Sequence, residues 1–225
     1  MSSENGLMVK LQSLKRSTIE QEDQKESMAF LGSAMLLAVF LIMFIMITQF
    51  NSISKPIIIF TEVFFSIIGV LLGFIIFKMP ISIIMTGMGI VALAGIVVRN
   101  GILLVEFTDV LKERGMKTRE AIIQAGKTRI TPVLLTASAT ILGLIPLAIG
   151  FNIDFASLFT SLQPHIHFGG DNVAFFGALA WTIIFGLSFA TFLTLIFIPA
   201  MYLITYTMKV KLKRMKSNRL ARRVQ

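Results

Sequence analysis

Five apolar stretches constrain this chain most, because each is long enough to cross a lipid bilayer as a helix. They lie near residues 28–48, 57–77, 81–107, 132–150 and 173–207. The hydrocarbon core of a bilayer is about 30 Å thick, and a helix needs about 20 residues to span it. Hydrophobic residues make up 55% of the chain and charged residues only 15%, too few charges to cover a soluble protein of this size. The sequence therefore predicts an all-α membrane protein and excludes a soluble enzyme.

Lys and Arg are distributed unevenly between the connecting segments. Residues 112–129 carry six and residues 209–223 carry eight, whereas residues 151–172 carry none. Because Lys and Arg favour the cytoplasmic side of a membrane, we expect the first two segments inside the cell and the third outside. The long last stretch is then one helix, and the five spans place the N-terminus outside and the C-terminus inside.

Three regions follow from this pattern: a polar N-terminal segment (1–27), a transmembrane helical domain (28–208) and a basic cytoplasmic tail (209–225). We expect residues 115–126 to form a short helix on the inner membrane surface, with Thr118 as its N-cap. The fourth span is expected to begin at Pro132, since proline suits a first helical turn. The basic tail is expected to meet anionic lipid and not nucleic acid.

The sequence gives little support to a metal or cofactor site. The chain has no Cys, which excludes disulfides, thiolate nucleophiles and Cys-based metal sites. His165 and His167, with Asp171, make only half of a metal site. No nucleophile–base pair, phosphate-binding loop or paired carboxylate stands out. We therefore predict neither a metal nor a cofactor, and no enzymatic activity.

Ionisable residues inside the spans are the candidates for function, because such residues are costly in a membrane. Arg99 is the clearest, since arginine keeps its charge and needs an anion or water near mid-membrane. Glu106 is two helical turns away and Glu62 is on another helix, so neither is a good partner. We interpret Arg99 as taking part in ion movement; a structural ion pair or a side chain that snorkels to the surface remains the alternative. Glu62 is interpreted as an interfacial or structural acid.

Small residues indicate where helices pack closely. Gly69 and Gly73 form a GxxxG pattern in the second span, and the third span is rich in Gly and Ala between residues 87 and 95. Small side chains let helix backbones approach in a membrane. We therefore expect the third helix to be central.

Four motifs in order resemble resistance–nodulation–division (RND) efflux pumps. The sequence GIVVRNGILLVEF (95–107) resembles the central helix of the second half of these pumps. RITPVLLTAS (129–138) and ILGLIPL (141–147) resemble the next-to-last helix, and residues 50–56 resemble the turn after the eighth helix. The resemblance runs from about residue 21 to residue 208 and is greatest to the hydrophobe/amphiphile multidrug branch of Gram-negative bacteria.

The resemblance implies that the five spans are helices eight to twelve of a twelve-helix, proton-driven drug exporter of the inner membrane. The first seven helices and a large periplasmic region would lie on a missing N-terminal half. Besides that half, the partners implied are protons, the lipid bilayer, a periplasmic adaptor, an outer-membrane channel and further copies in a homotrimer. The alternatives are a non-transporting membrane scaffold or truncated subunit, and a heavy-metal-exporting relative.

The resemblance also implies a proton-relay site. Arg99 stands where the best-known members have Lys, and Arg129 and Thr136 match the family's Arg and Thr; Asn100 and Glu106 are supporting candidates. Two Asp residues of the family site have no counterpart in this chain. Because arginine does not release its proton at working pH, we expect Arg99 to act as an electrostatic counter-charge to those acids.

Overall fold

A computed structural model describes residues 2–153 and 166–224. This part of the chain contains five α-helices: α1 (Ser2–Phe50), α2 (Ser54–Ile76), α3 (Ile83–Glu113), α4 (Thr118–Ile149) and α5 (Asp171–Val224). Each helix contains a stretch long and apolar enough to cross a membrane. The predicted all-α membrane fold with five spans is therefore confirmed. The orientation of the helices across the membrane stays a prediction.

The chain divides into two compact units, Met1–Ile42 and Met43–Gln225. In the first, the polar residues up to 27 are helical and continue into the first apolar stretch without a break. This continuity has a simple cause, because the first proline of the chain is Pro56 and a single glycine, Gly6, precedes residue 28. In the second unit, α1 ends at Phe50, and Asn51 follows with a left-handed backbone (φ 44°) that stops the helix.

Helices α3 and α5 form the centre of the second unit. Each of them packs against the other and against both α2 and α4. A buried core joins them, made of apolar side chains from all four helices: Val70, Phe74, Leu93, Val97, Ala137, Leu187 and Ala190. The expectation that the third helix is central agrees with this arrangement, and α5 shares that position.

The GxxxG pattern of α2 packs against α5. A Cβ atom added at Gly69 would overlap the side chain of Phe189, and one added at Gly73 would overlap that of Phe185. Two phenylalanines one turn apart on α5 thus lie directly on the two glycines of α2. The glycines permit a backbone approach that any larger residue would prevent.

Helix α4 differs from its prediction. It is one continuous helix from Thr118 to Ile149, so the separate surface helix over 115–126 and a fourth helix starting at Pro132 are both wrong. Lys117 is the N-cap residue, with no side-chain hydrogen bond, so Thr118 is not the cap. An internal proline removes one backbone hydrogen bond and need not end a helix whose other residues favour it. Residues 209–224, predicted only as a tail, likewise continue α5.

A short strand pair follows α4 and was not predicted. Gly150 takes a left-handed conformation (φ 73°) and ends the helix. Strands β1 (Phe151–Ile153) and β2 (Ile166–Phe168) then pair antiparallel, with Phe151 opposite Phe168. His165 and the side chains of His167 and Asp171, the half metal site considered above, lie outside what the structure describes.

Candidate ion-pathway site between α3 and α4

Arg99 lies in the middle of α3 and lines a cavity of about 260 Å³ between α3 and α4. Asn100 and Thr136, two of the residues expected to act with Arg99, line the same cavity. The full lining comprises Ala92, Gly95, Ile96, Arg99, Asn100, Thr136, Ala137 and Thr140. Asn100 is buried, whereas Arg99 and Thr136 are exposed.

The guanidinium of Arg99 has no anionic partner within residues 2–153 and 166–224. The ion pairs that α3 forms with described residues are Lys55–Asp109 and Lys112–Asp109, both at the far end of this helix from Arg99. A charge held in a spanning helix without a counter-ion is unfavourable in a membrane. Arg99 is therefore a cation without a counter-ion among the described residues.

The hydroxyl of Thr136 is bonded within its own helix. It donates toward the carbonyl oxygens of Pro132 (3.0 Å) and Val133 (3.1 Å), as threonine commonly does inside helices. Thr140, one turn later, donates to the carbonyl oxygen of Thr136 (2.8 Å). Thr140 also lines the cavity and was missed from the sequence, although its spacing of four residues from Thr136 puts both hydroxyls on one helix face.

Arg129 and Glu106 do not line this cavity. The guanidinium of Arg129 lies over the ring of Phe107, with Cζ 4.7 Å from the ring centroid, and its Nε is buried without a hydrogen-bond partner among the described residues. Glu106 is exposed and lines a separate, larger cavity of about 550 Å³ with Lys55 and Asp109. The structure thus groups Arg99 with Asn100 and Thr136, and places Arg129 and Glu106 elsewhere.

A polar cluster joins one end of α2, α3 and α5. Asp109 of α3 is paired with Lys55 of α2 at 2.5 Å, and the hydroxyl of Tyr202 on α5 donates to the other carboxylate oxygen of Asp109 at 2.7 Å. Lys112 approaches the same carboxylate at 3.8 Å and donates to Tyr202 at 3.2 Å. The shorter of the two lysine contacts is to Lys55, which the α2–α3 packing brings close although it lies 54 residues away in the sequence.

Glu62 is not at an interface with the aqueous phase. Its side chain is fully buried where α2 meets α5, eight residues after α2 begins at Ser54. The hydroxyl of Thr194 on α5 bonds to Oε1, and Oε2 has no partner among the described residues. Of the two roles expected for Glu62, the interfacial one is wrong, because α5 covers this face of α2, and the structural one stays a prediction.

A sequence model of the AcrB/AcrD/AcrF family matches residues 11–153 of this chain. The chain belongs to this family of RND transporters. The match includes the α3 and α4 residues that line the Arg99 cavity, so the cavity lies within the family's shared membrane domain.

Several known proteins are similar to parts of this chain. Swarming motility protein SwrC of Bacillus subtilis is 36% identical over 80% of the chain and 15% of its own length. Multidrug resistance protein MdtC of Erwinia tasmaniensis is 31% identical over 81% of the chain and 16% of its own length. Cobalt-zinc-cadmium resistance protein CzcA of Cupriavidus metallidurans is 32% identical over 74% of the chain and 14% of its own length.

A solved structure is also similar. The crystal structure of a heavy metal efflux pump superposes with a TM-score of 0.66 and 25% identity, over 83% of this chain and 17% of the pump. The chain thus spans about a sixth of the length of the RND proteins that it matches. One relative comes from Bacillus, so family membership does not by itself specify a Gram-negative source.

Proposed function

We propose that this chain is a membrane part of a proton-driven RND efflux transporter, in which Arg99, Arg129 and Thr136 contribute the basic and hydroxyl groups of the proton-relay site. One observation carries the proposal. Arg99 lies in a spanning helix, at a cavity shared with Thr136, and has no carboxylate partner within the described residues. Asn100 supports the site from the cavity wall. A supporting role for Glu106, which lines the separate cavity near Asp109, would require a second conformation of the transporter.

The charge of Arg99 suits a site completed by carboxylates from another part of the transporter. Arginine stays protonated at working pH, so the proton would be carried by those carboxylates and Arg99 would be their counter-charge. When the carboxylates are ionised, the pairs hold the helices together. When they bind protons, the attraction is lost, and the balance between two conformations of the transporter shifts.

The surface around the cavity is suited to contact with further helices. A Cβ atom added at Gly95 would meet nothing within 4 Å. On α4, Leu135 and Leu142 are 69% and 65% exposed. We infer that the other transmembrane helices of the transporter cover this surface and bring the acids to Arg99.

The same proposal covers location and assembly. The chain would lie in the inner membrane as a multi-pass protein, with residues 1–27 on the periplasmic side and residues 209–225 in the cytoplasm. A periplasmic adaptor, an outer-membrane channel and a homotrimeric assembly would complete the exporter. The chain would have no enzymatic activity, because its task is to convert a proton gradient into movement.

We propose drug/proton antiport first, because MdtC is named for multidrug resistance. Export of heavy-metal ions is the second candidate, favoured by the similarity to CzcA and to the heavy metal efflux pump. The five helices would serve either substrate alike, since they would supply energy and the substrate would pass through the periplasmic region. A membrane scaffold without transport is the third alternative.

Efflux in cells that lack their own RND pumps tests the proposal. The chain would be produced with the remaining part of an RND transporter, and efflux of a fluorescent dye and resistance to zinc and cadmium would be measured. We expect Arg99→Ala to abolish efflux of whichever substrate the wild type exports. Arg119→Ala, which removes an exposed arginine of α4, is the matched control and should keep wild-type efflux.

Two results would contradict the proposal. Efflux by the chain alone would show that no other part is needed to supply the acids. Efflux by Arg99→Ala at the wild-type rate, with equal protein levels in the membrane, would leave Arg99 without a role and favour the scaffold.

A further inference from the structure

A buried carboxyl group lies outside the Arg99 cavity, where α2, α3 and α5 meet. Glu62 is fully buried, and its neighbours are apolar or hydroxyl-bearing. If Gly101 of α3 carried a Cβ, this atom would lie 3.1 Å from Glu62 Oε2, 2.9 Å from Ile59 and 3.3 Å from Ile198. The absence of a side chain at Gly101 thus gives the carboxyl its place between the helices.

The hydrogen bonds around Glu62 require more protons than the hydroxyl of Thr194 can supply. The hydroxyl oxygen of Thr194 is within hydrogen-bond distance of Glu62 Oε1 and lies 2.8 Å from the carbonyl oxygen of Ala190. A hydroxyl has one proton and can donate to only one of these two acceptors. If Thr194 donates to Ala190, the contact with Oε1 is satisfied only by a proton on the carboxyl group of Glu62. A carboxylic acid at Glu62 therefore satisfies both contacts, and a carboxylate satisfies one.

No cation pairs with this carboxyl among the described residues, because Lys55, two turns earlier on the same face of α2, is paired with Asp109. The Gly101 face of α3 carries buried apolar residues: Val97, Val98, Leu104 and Val105. On α5, the titratable group of the Thr194 face is Tyr202, whose hydroxyl is engaged with Asp109. Arg99 lines the cavity with α4 instead. A carboxylate in this position would be a buried charge without a counter-ion, which is costly.

We propose that Glu62 is a second proton-binding site of this membrane domain, separate from the Arg99 cavity, and that its proton leaves only when the α2–α5 contact opens. The ligand is a proton and not a metal cation, because hard cations take about six oxygen ligands and this site offers one hydroxyl and isoleucine side chains. Opening would expose the ionised carboxyl group to water. The site does not depend on the role proposed for Arg99.

Infrared difference spectroscopy tests the first part of this proposal. The full chain in lipid nanodiscs would be compared at neutral pH with Glu62→Gln, which keeps the shape and the hydrogen-bonding capacity. We expect the wild type to show the carbonyl stretch of a protonated carboxylic acid and Glu62→Gln to lose that band. Glu113→Gln, which changes an exposed acid of α3, should keep the band, and Thr194→Val should shift its frequency.

The fluorescence emission of Trp181 tests the second part of the proposal, that the proton leaves only when the α2–α5 contact opens. Trp181 is the single tryptophan of the chain, and its ring stacks on that of Phe77, the C-cap residue of α2, with centroids 6.4 Å apart. When the pH is raised until the acid band disappears, Trp181 emission should change in the wild type and stay constant in Glu62→Gln. Circular dichroism of each variant verifies that the helices are intact.

Either of two results would overturn the proposal. If folded wild type and Glu62→Gln give the same infrared spectrum at neutral pH, Glu62 is already ionised at that pH. Loss of the acid band with unchanged Trp181 emission would mean that the proton leaves while α2 and α5 stay in contact.

Discussion

Replacement of Gly69 by Ala tests the packing of α2 on α5. Because the new methyl group would overlap the side chain of Phe189, one of the two helices must shift. Carbon atoms pack at about 3.5–4.0 Å, so α2 would move away from α5 by roughly 1 Å. The same movement would weaken the neighbouring contact between Gly73 and Phe185.

The expected loss in free energy of unfolding can be estimated from substitutions that produce similar overlaps. Forced insertion of a methyl group into a well-packed core costs about 1–3 kcal/mol. Gly95→Ala is the matched control, because a Cβ at Gly95 meets nothing within 4 Å and the change also turns a helical glycine of the second unit into alanine. We expect the control to be neutral or up to about 1 kcal/mol more stable, since alanine favours the helix.

The assay is reversible unfolding of the full chain in mixed micelles, followed by circular dichroism at increasing sodium dodecyl sulfate. A double-mutant cycle with Phe189→Ala isolates the contact, because removal of the ring leaves room for the methyl group. We expect Gly69 and Phe189 to be coupled by about 0.5–3 kcal/mol. If Gly69→Ala unfolds at the same detergent fraction as Gly95→Ala, the close contact between α2 and α5 does not exist.

Two further contacts are testable in the same assay. Asp109→Asn removes the charge that pairs with Lys55 and accepts a hydrogen bond from Tyr202, and should lower the free energy of unfolding by about 1.5–3 kcal/mol. Glu113→Gln changes an exposed neighbour and should stay within about 0.5 kcal/mol of wild type. Equal losses for the two variants would contradict the polar cluster around Asp109. Trp181→Phe keeps the aromatic stacking but removes the Nε1 donor to a carbonyl oxygen at the end of α4, and should cost about 0.5–1.5 kcal/mol; no measurable loss would mean that this bond is not formed.

Hydropathy and charge were sufficient to predict the helices of the membrane domain, because a bilayer permits few other structures for long apolar stretches. They were insufficient for helix ends. Pro132 predicted the start of a helix, yet α4 passes through it, since an internal proline removes one backbone hydrogen bond without necessarily ending the helix. The three-residue strands after Gly150 are too short to give a sequence pattern.

The candidate site was predictable only in part. Hydropathy gives the depth of Arg99 and Glu62 in their helices, but the helix face that each presents depends on packing against distant segments. Glu62 was interpreted only as an interfacial or structural acid, because nothing in the sequence pairs it with Thr194, which follows 132 residues later. Thr140 could have been predicted from the sequence, because it follows Thr136 by one helical turn and so lies on the same helix face.

Helix α5 is the common neighbour of α2, α3 and α4, and it also extends unbroken from Asp171 to Val224. Because α5 packs against all three helices, a shift against one of them also disturbs its contacts with the other two. Pro199 interrupts its backbone hydrogen bonds shortly after Thr194, so a rearrangement that begins beside Thr194 can bend α5 there and change its packing on α4.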